Sequence, residues 1–241
     1  MDKIRLFCIP YAGGAAAAFF KWKTLLDQRI ELIPIELSGK GARFHEPLYS
    51  SVEEGVNDIY EKIQRQISNG PYVLLGHSLG ALLAYALTVK IREENKKMPE
   101  HLFFSGMGSP FVKRKNKDKY AVLNDKDFIK SVIKLGGTPA GFFDEPDLCK
   151  MFLPILRNDF KLAMTDFVGQ NPVPFNCNIS ILLGKNENIS TKAATAWQDC
   201  TNKLFRLHYF KGGHFFINED LEEVIRTINN NILISDDGVN Y

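Results

Sequence analysis

The run Tyr72-Val73-Leu74-Leu75-Gly76-His77-Ser78-Leu79-Gly80 constrains this chain more than any other. Pro71 opens a short apolar run of strand character, two glycines flank a serine, and residues 79–92 continue as an Ala- and Leu-rich helix. A strand that turns at once into a helix needs a sharp bend, and glycine leaves room for one. The same alternation extends along the chain. Residues 4–9 read as a buried strand stopped by Pro10, 15–26 as a helix and 31–37 as a second strand. Val52, Val56, Ile59, Ile63 and Ile67 recur at helical spacing, and residues 102–105 are a further strand. Strand and helix in this rhythm predict a mostly parallel sheet covered on both faces.

The rhythm breaks after Pro110. Residues 113–127 are charged and irregular, 127–135 and 147–167 look helical, and Gly136-Gly137-Thr138-Pro139 lies between them. Strands return at 179–183 and 203–210, with helices at 191–200 and 219–232, and a polar tail, 235–241, expected to fray. The organisation expected is therefore a core formed by residues 1–110 and 172–241, interrupted by a helical lid over 111–171.

At 241 residues the chain can bury one full core. A net charge of +2 offers no clustered basic face for nucleic acid. No apolar run approaches the roughly 20 residues that span a bilayer, and the first strand is too short for a signal-peptide core. The four cysteines, Cys8, Cys149, Cys177 and Cys200, form no C-x-x-C pair and read as reduced thiols, so a cytoplasmic protein is expected. Cys8, inside a strand pattern, reads as a small buried hydrophobe.

A G-x-S-x-G pentapeptide is weak evidence alone, but between a strand and a helix it reads as an elbow that lifts Ser78 above the carboxyl edge of the sheet. The competing reading makes Ser78 only the N-cap of the following helix. A serine nucleophile needs a base, and on this architecture the order is serine, acid, histidine. Of the five histidines only His208 and His214 come late. His214 stands in a Gly-rich loop between the last strand and the last helix, where a base should hang. His208 falls inside a strand pattern, His77 is expected to point away from the site, and His45 and His101 read as surface or loop residues. The loop after strand 179–183 contains a single carboxylate, Glu187, which becomes the candidate acid; Asp199 is the reserve. The oxyanion hole requires two backbone N–H groups, one from Leu79 and one from the loop Tyr11-Ala12-Gly13-Gly14.

These residues resemble the type II thioesterases that accompany nonribosomal peptide and polyketide synthetases, members of the α/β-hydrolase superfamily. The resemblance rests on Leu6 to Gly14, Phe20, Trp22, Gly39-Lys40-Gly41-Ala42-Arg43, Glu46-Pro47, Gly76 to Gly80, Phe104-Ser105-Gly106, Leu135 to Pro139, Leu153 to Phe160 and Gly213 to Phe216. It implies an α/β-hydrolase fold and hydrolysis of acyl groups from the phosphopantetheine arm of carrier proteins, clearing misprimed or stalled units. It implies Ser78 as nucleophile, His214 as base and the N–H groups of Ala12 and Leu79 as the oxyanion hole. Neither a metal nor an organic cofactor is implied, and a monomer is expected. Where the family usually has Pro-Gly-Arg-Gly, this chain has Ser38-Gly39-Lys40-Gly41 after Leu37. Where the family has Gly-x-x-Asp, it has Gly184-Lys185-Asn186-Glu187.

The lid is expected to set the acyl size, with Phe142, Phe143, Phe152 and Phe160 either contacting the acyl chain or packing the lid on the core. The basic run Lys113-Arg114-Lys115-Asn116-Lys117 is either a solvated loop or a steering patch for an acidic carrier domain. Two rival functions remain at this point. One is a medium-chain acyl-carrier thioesterase of fatty-acid synthesis or a general esterase. The other is a non-catalytic, carrier-binding homologue, motivated by the substituted acid.

Overall fold

Strands buried on both faces must be apolar at successive positions, and the central strands are. The computed structural model describes residues 3–114, 119–139 and 141–233. It contains a six-stranded, all-parallel sheet. The strands are β1 (Ile4–Ile9), β2 (Ile30–Pro34), β3 (Tyr72–His77), β4 (His101–Ser105), β5 (Asn178–Gly184) and β6 (Phe205–Phe210), in the order β2-β1-β3-β4-β5-β6. Phe7 and Ile9, Tyr72 and Leu74, Leu102 and Phe104, and Ile179, Ile181 and Leu183 form one apolar layer with helices α1 (Val52–Ile67) and α2 (Leu79–Glu93). Leu6 and Cys8, Val73 and Leu75, Phe103, Leu182 and Phe210 form the opposite layer with Phe19, Trp22 and the C-terminal helix.

Chain order leaves β1 between β2 and β3, so the connections on the two sides of β1 diverge at its carboxyl end. Ligand crevices of open parallel sheets lie at such a switch point. α1 is positioned by its own sequence: the Ser51 hydroxyl caps it by accepting the Glu54 N–H, worth about 1 kcal/mol.

Between β4 and β5 the described residues hold only helices: α3 (Lys119–Val122), α4 (Asp125–Leu135), a 3-10 turn at Phe142–Asp144 and α5 (Pro146–Ala163). They enclose a small cluster of Phe128, Val132 and Leu156, with Tyr120, Phe143 and Phe160 against it. After β5 come α6 (Thr191–Thr195), α7 (Phe216–Glu219) and α8 (Leu221–Leu233). No helix among the described residues is long and apolar enough to cross a membrane.

Several boundaries differ from the sequence reading. Residues 16–24 form a 3-10 helix, whose three residues per turn line up Ala16, Phe19 and Trp22 on one buried face. β2 stops at Pro34, which has no N–H to donate; Ile35 makes one last bond to the Cys8 carbonyl at 2.8 Å and the chain turns off toward the site. The 191–200 helix splits into α6 and a 3-10 turn, Ala196–Cys200. α4 starts at Asp125, capped by Asn124, inside the stretch read as irregular. The tail beyond 233 lies outside the described residues.

Candidate active site

Ser78 sits at the tip of the β3–α2 turn with φ 56° and ψ −114°, a backbone conformation that costs a side-chain-bearing residue about 1–3 kcal/mol. It occupies the N-cap position of α2, yet its hydroxyl makes no capping hydrogen bond, so helix capping does not account for the serine. Its N–H instead donates to the Ser105 carbonyl at 2.8 Å, tying the elbow to β4. The flanking glycines are required. A methyl group on Gly76 would lie 1.9 Å from the Gly80 carbonyl oxygen, and one on Gly80 2.1 Å from that of Ile9. The second contact also presses the start of α2 against the end of β1, which brings Leu79 and the 11–14 loop to the same sheet edge.

In that loop two of the amides are already engaged. Gly14 N–H donates to the Tyr11 carbonyl at 2.9 Å and Gly13 N–H to Asp159 Oδ2 at 2.7 Å. Among the described residues neither the Ala12 nor the Leu79 N–H has an acceptor. These are the two groups the resemblance implied.

The base and acid come from neighbouring strand ends. Lys185 N–H donates to the Phe210 carbonyl at 2.8 Å and Asn186 N–H to that of Gly212 at 3.0 Å, lashing the β5 and β6 loops together. His214 Nδ1 lies 2.6 Å from Glu187 Oε1, and Glu187 Oε2 accepts the Gly184 N–H at 2.7 Å. The Glu187 side chain is only 4% exposed, against 18% for His214. A buried carboxylate with both oxygens engaged is an orienting group, not a solvated loop charge. Asp199, the reserve acid, is exposed on its 3-10 turn and is not brought to the site.

The other histidines sort less simply. His77 does not point away: its wholly buried ring packs 5.0 Å from that of His214, with Nδ1 2.8 Å from Ser105 Oγ. Burial, and then the nearby His214, pushes its pKa well below the ordinary range, so it stays neutral. Gly106 permits this close approach, since a methyl group there would meet His77 Cε1 at 2.5 Å and His214 Cε1 at 3.2 Å. His45 is exposed and His208 lies in mid-β6, as read from the sequence. His101 is no surface residue. It opens β4, is buried against Phe103, and its Nε2 is 2.9 Å from Ser180 Oγ. That contact lies at the amino end of the strands, level with Val73 and Asn178, away from the elbow.

The helical segment meets the site from above. Leu156 of α5 abuts Gly13, and Gly137 abuts the Phe215 ring next to His214. Phe142 and Phe152 pack on each other at 5.2 Å, with Phe152 also near Phe44, whereas Phe143 and Phe160 join the segment's own cluster. Sequence reasoning missed Lys40 and Asp159, a buried ion pair at 3.0 Å beside Gly13, although both lie in stretches that carried the resemblance. Of the basic run, Arg114 is half-buried and donates to the Ala163 carbonyl, Lys113 is exposed, and Lys115, Asn116 and Lys117 lie outside the described residues.

A strained serine, a histidine braced by a carboxylate and free N–H groups on one edge form the apparatus of acyl transfer. The comparisons agree. The thioesterase domain family matches residues 4–232. The gramicidin S biosynthesis protein GrsT of Aneurinibacillus migulanus is 37% identical over 92% of this chain and 86% of its own length. The medium-chain S-acyl fatty acid synthase thioesterase of Anas platyrhynchos is 29% identical over 91% and 87%. The crystal structure of ClbQ from the colibactin NRPS/PKS pathway superposes with a TM-score of 0.90 at 32% identity, covering 98% of this chain and 99% of that one. On an α/β-hydrolase fold with this edge chemistry, the chain belongs to the thioesterase domain family.

Proposed function

We propose that this chain is a serine thioesterase that hydrolyses acyl groups from the phosphopantetheine arm of carrier protein domains in a nonribosomal peptide or polyketide pathway. The observation that carries the reading is the His214–Glu187 contact beside the Ser78 elbow. It also removes the motive for a non-catalytic homologue, because glutamate fills the place where the family usually has aspartate and still braces the base.

With Nδ1 committed to Glu187, Nε2 of His214 is the nitrogen left to accept a proton. Ser78 Oγ attacks the thioester carbonyl carbon as His214 takes the hydroxyl proton. The carbonyl oxygen becomes an oxyanion held by the Ala12 and Leu79 N–H groups. Collapse breaks the C–S bond, and the sulfur leaves as a thiol with the proton from His214. Water then attacks the acyl-serine while His214 accepts its proton, and collapse releases the carboxylic acid and restores Ser78. Glu187 stabilises the imidazolium in both halves.

Residues 111–171 act as the lid in this reading, with Phe142 and Phe152, which pack on each other, as apolar contacts for the acyl chain. Turnover of acyl-phosphopantetheinyl carrier protein should exceed that of a simple carboxylic ester of the same acyl chain. Comparable rates on the two would instead favour a general esterase. A strong preference for medium-length acyl chains would favour the fatty-acid-type activity that the Anas platyrhynchos relative carries in its name.

A further inference from the structure

No other lysine or arginine ion pair described is as withdrawn from water as Lys40–Asp159, whose side chains are 3% and 0% exposed. Two well-packed apolar residues would generally serve stability as well as a buried pair, so burial of the charges calls for another purpose. The geometry supplies one. Asp159 Oδ1 faces Lys40 Nζ at 3.0 Å, while Oδ2 receives the Gly13 N–H at 2.7 Å. Lys40 is fixed in turn, its Nζ donating to the Ser38 carbonyl at 3.3 Å. The preceding residue of α5, Asn158, donates to the Tyr49 carbonyl at 3.0 Å, so the helix is fastened to the 38–49 loop at two successive positions. Gly13 itself has φ 73°, a left-handed conformation that glycine enters and leaves freely, with Leu156 packed against it, so contacts from outside the loop fix its direction.

We propose that Asp159, held by Lys40, is a positioning residue that fixes the Ala12–Gly13 peptide and thereby keeps the Ala12 N–H aimed at the oxyanion, joining the lid helix to the oxyanion loop as one unit. The proposal rests on the thioesterase reading above. A hydrogen bond to a charged acceptor is stronger and shorter than one to a neutral acceptor, and the full charge on Asp159 is what Lys40 secures. Burial pushes the carboxyl's pKa up, and the lysine and the Gly13 N–H oppose it. The donor's direction matters because a preorganised N–H stabilises charge only where the charge develops.

The test uses two variants. Asp159→Asn leaves Lys40 buried and unpaired and invites misfolding. The paired replacement Lys40→Met with Asp159→Leu removes both charges together and keeps the packing while deleting the anchor for Gly13. In the double variant kcat on an acyl-phosphopantetheinyl carrier protein should fall about 100-fold, the scale of losing one oxyanion donor. KM should stay within about threefold, since ground-state binding is untouched. Affinity for an octyl trifluoromethyl ketone, whose adduct with Ser78 places an oxyanion in the hole, should fall with kcat. Affinity for the matching octyl thioether, which forms no adduct, should not. A folded double variant with wild-type kcat and wild-type ketone affinity overturns the proposal, as does equal weakening of ketone and thioether. Hydrolysis that survives Ser78→Ala would overturn the underlying reading instead, so the two failures are distinguishable.

Discussion

The molecule contains two serine–histidine neighbourhoods, one at each end of its strands. At the amino end His101 Nε2 meets Ser180 Oγ at 2.9 Å, and that hydroxyl also lies 3.4 Å from Asn231 Oδ1, to which Arg206 donates at 2.6 Å. His101, Ser180 and Asn231 are all buried, and Ser180 sits in regular strand with no backbone strain. At the carboxyl end Ser78 is strained and partly open, His214 is partly open and braced by Glu187, and two N–H groups lie on the same edge without acceptors. The same two residue types thus give a closed polar core contact in one place and the proposed nucleophile and base in the other. Access, a bracing carboxylate and unengaged donors separate them, not the pairing of serine with histidine.

Substitution tests this contrast directly. Ser78→Ala should lower kcat on an acyl-carrier substrate by on the order of a million-fold, measured by thiol release, because triad members act as a unit. Ser180→Ala should leave kcat within about twofold, and a loss like that of Ser78 would invert the assignment. Glu187→Ala comes next, with an expected loss of about ten-thousand-fold. If Glu187→Ala were silent while Asp199→Ala was not, the acid would have to be reassigned. For the amino-end pair the readout is stability: deleting the Ser180 hydroxyl leaves His101 buried with one partner fewer, costing about 1–3 kcal/mol in urea unfolding.

The amino-end pair also carries a pH dependence. Burial first, then Arg206 and His208, holds the His101 pKa down to about 3. In the unfolded chain a histidine titrates near 6.5. Between those values the unfolded state binds a proton that the folded state does not, so stability declines as pH falls from about 6.5 toward 3. His77 contributes in the same direction. His101→Gln should flatten the slope of unfolding free energy by up to about 1.4 kcal/mol per pH unit in that window. An unchanged slope would mean that His101 is already charged in the fold.

What the sequence disclosed about this contrast follows from how local each feature is. The elbow is contained in nine residues, because strand, glycines, serine and helix are consecutive, and the all-parallel sheet follows from repeated strand–helix order. His214, the proposed base, was legible because a Gly-Gly-His loop falls between a strand and a helix. Glu187, the proposed acid, was legible as the one carboxylate in its loop, but its burial was not. That depends on the Gly184 N–H and on loops lashed across two strands. The direction of His77 depended on Gly106, which removes a Cβ from a different strand end. Asp159 meets Gly13 across 146 residues, and nothing local marks either for the other. His101 was misread because one polar residue at a strand start looks like a loop residue until Ser180 arrives beside it.

The order of the strands has a further consequence. Ser78 follows β3, in the middle of the sheet, whereas the proposed base His214 follows β6, one of the two edge strands, in a loop hydrogen-bonded to that of Glu187 after β5. Edge strands open first, because one side of their ladder is unpaired. Warming should therefore swing the histidine and its carboxylate away together, still bonded, before the serine moves at all. Catalysis would end while most of the helix signal in circular dichroism persists, with β6 amides exchanging hydrogen well ahead of those in β3. Equal exchange in both strands would contradict this. The enzyme's thermal limit is then set at its margin, and reinforcing that margin should raise working temperature more than reinforcing the core.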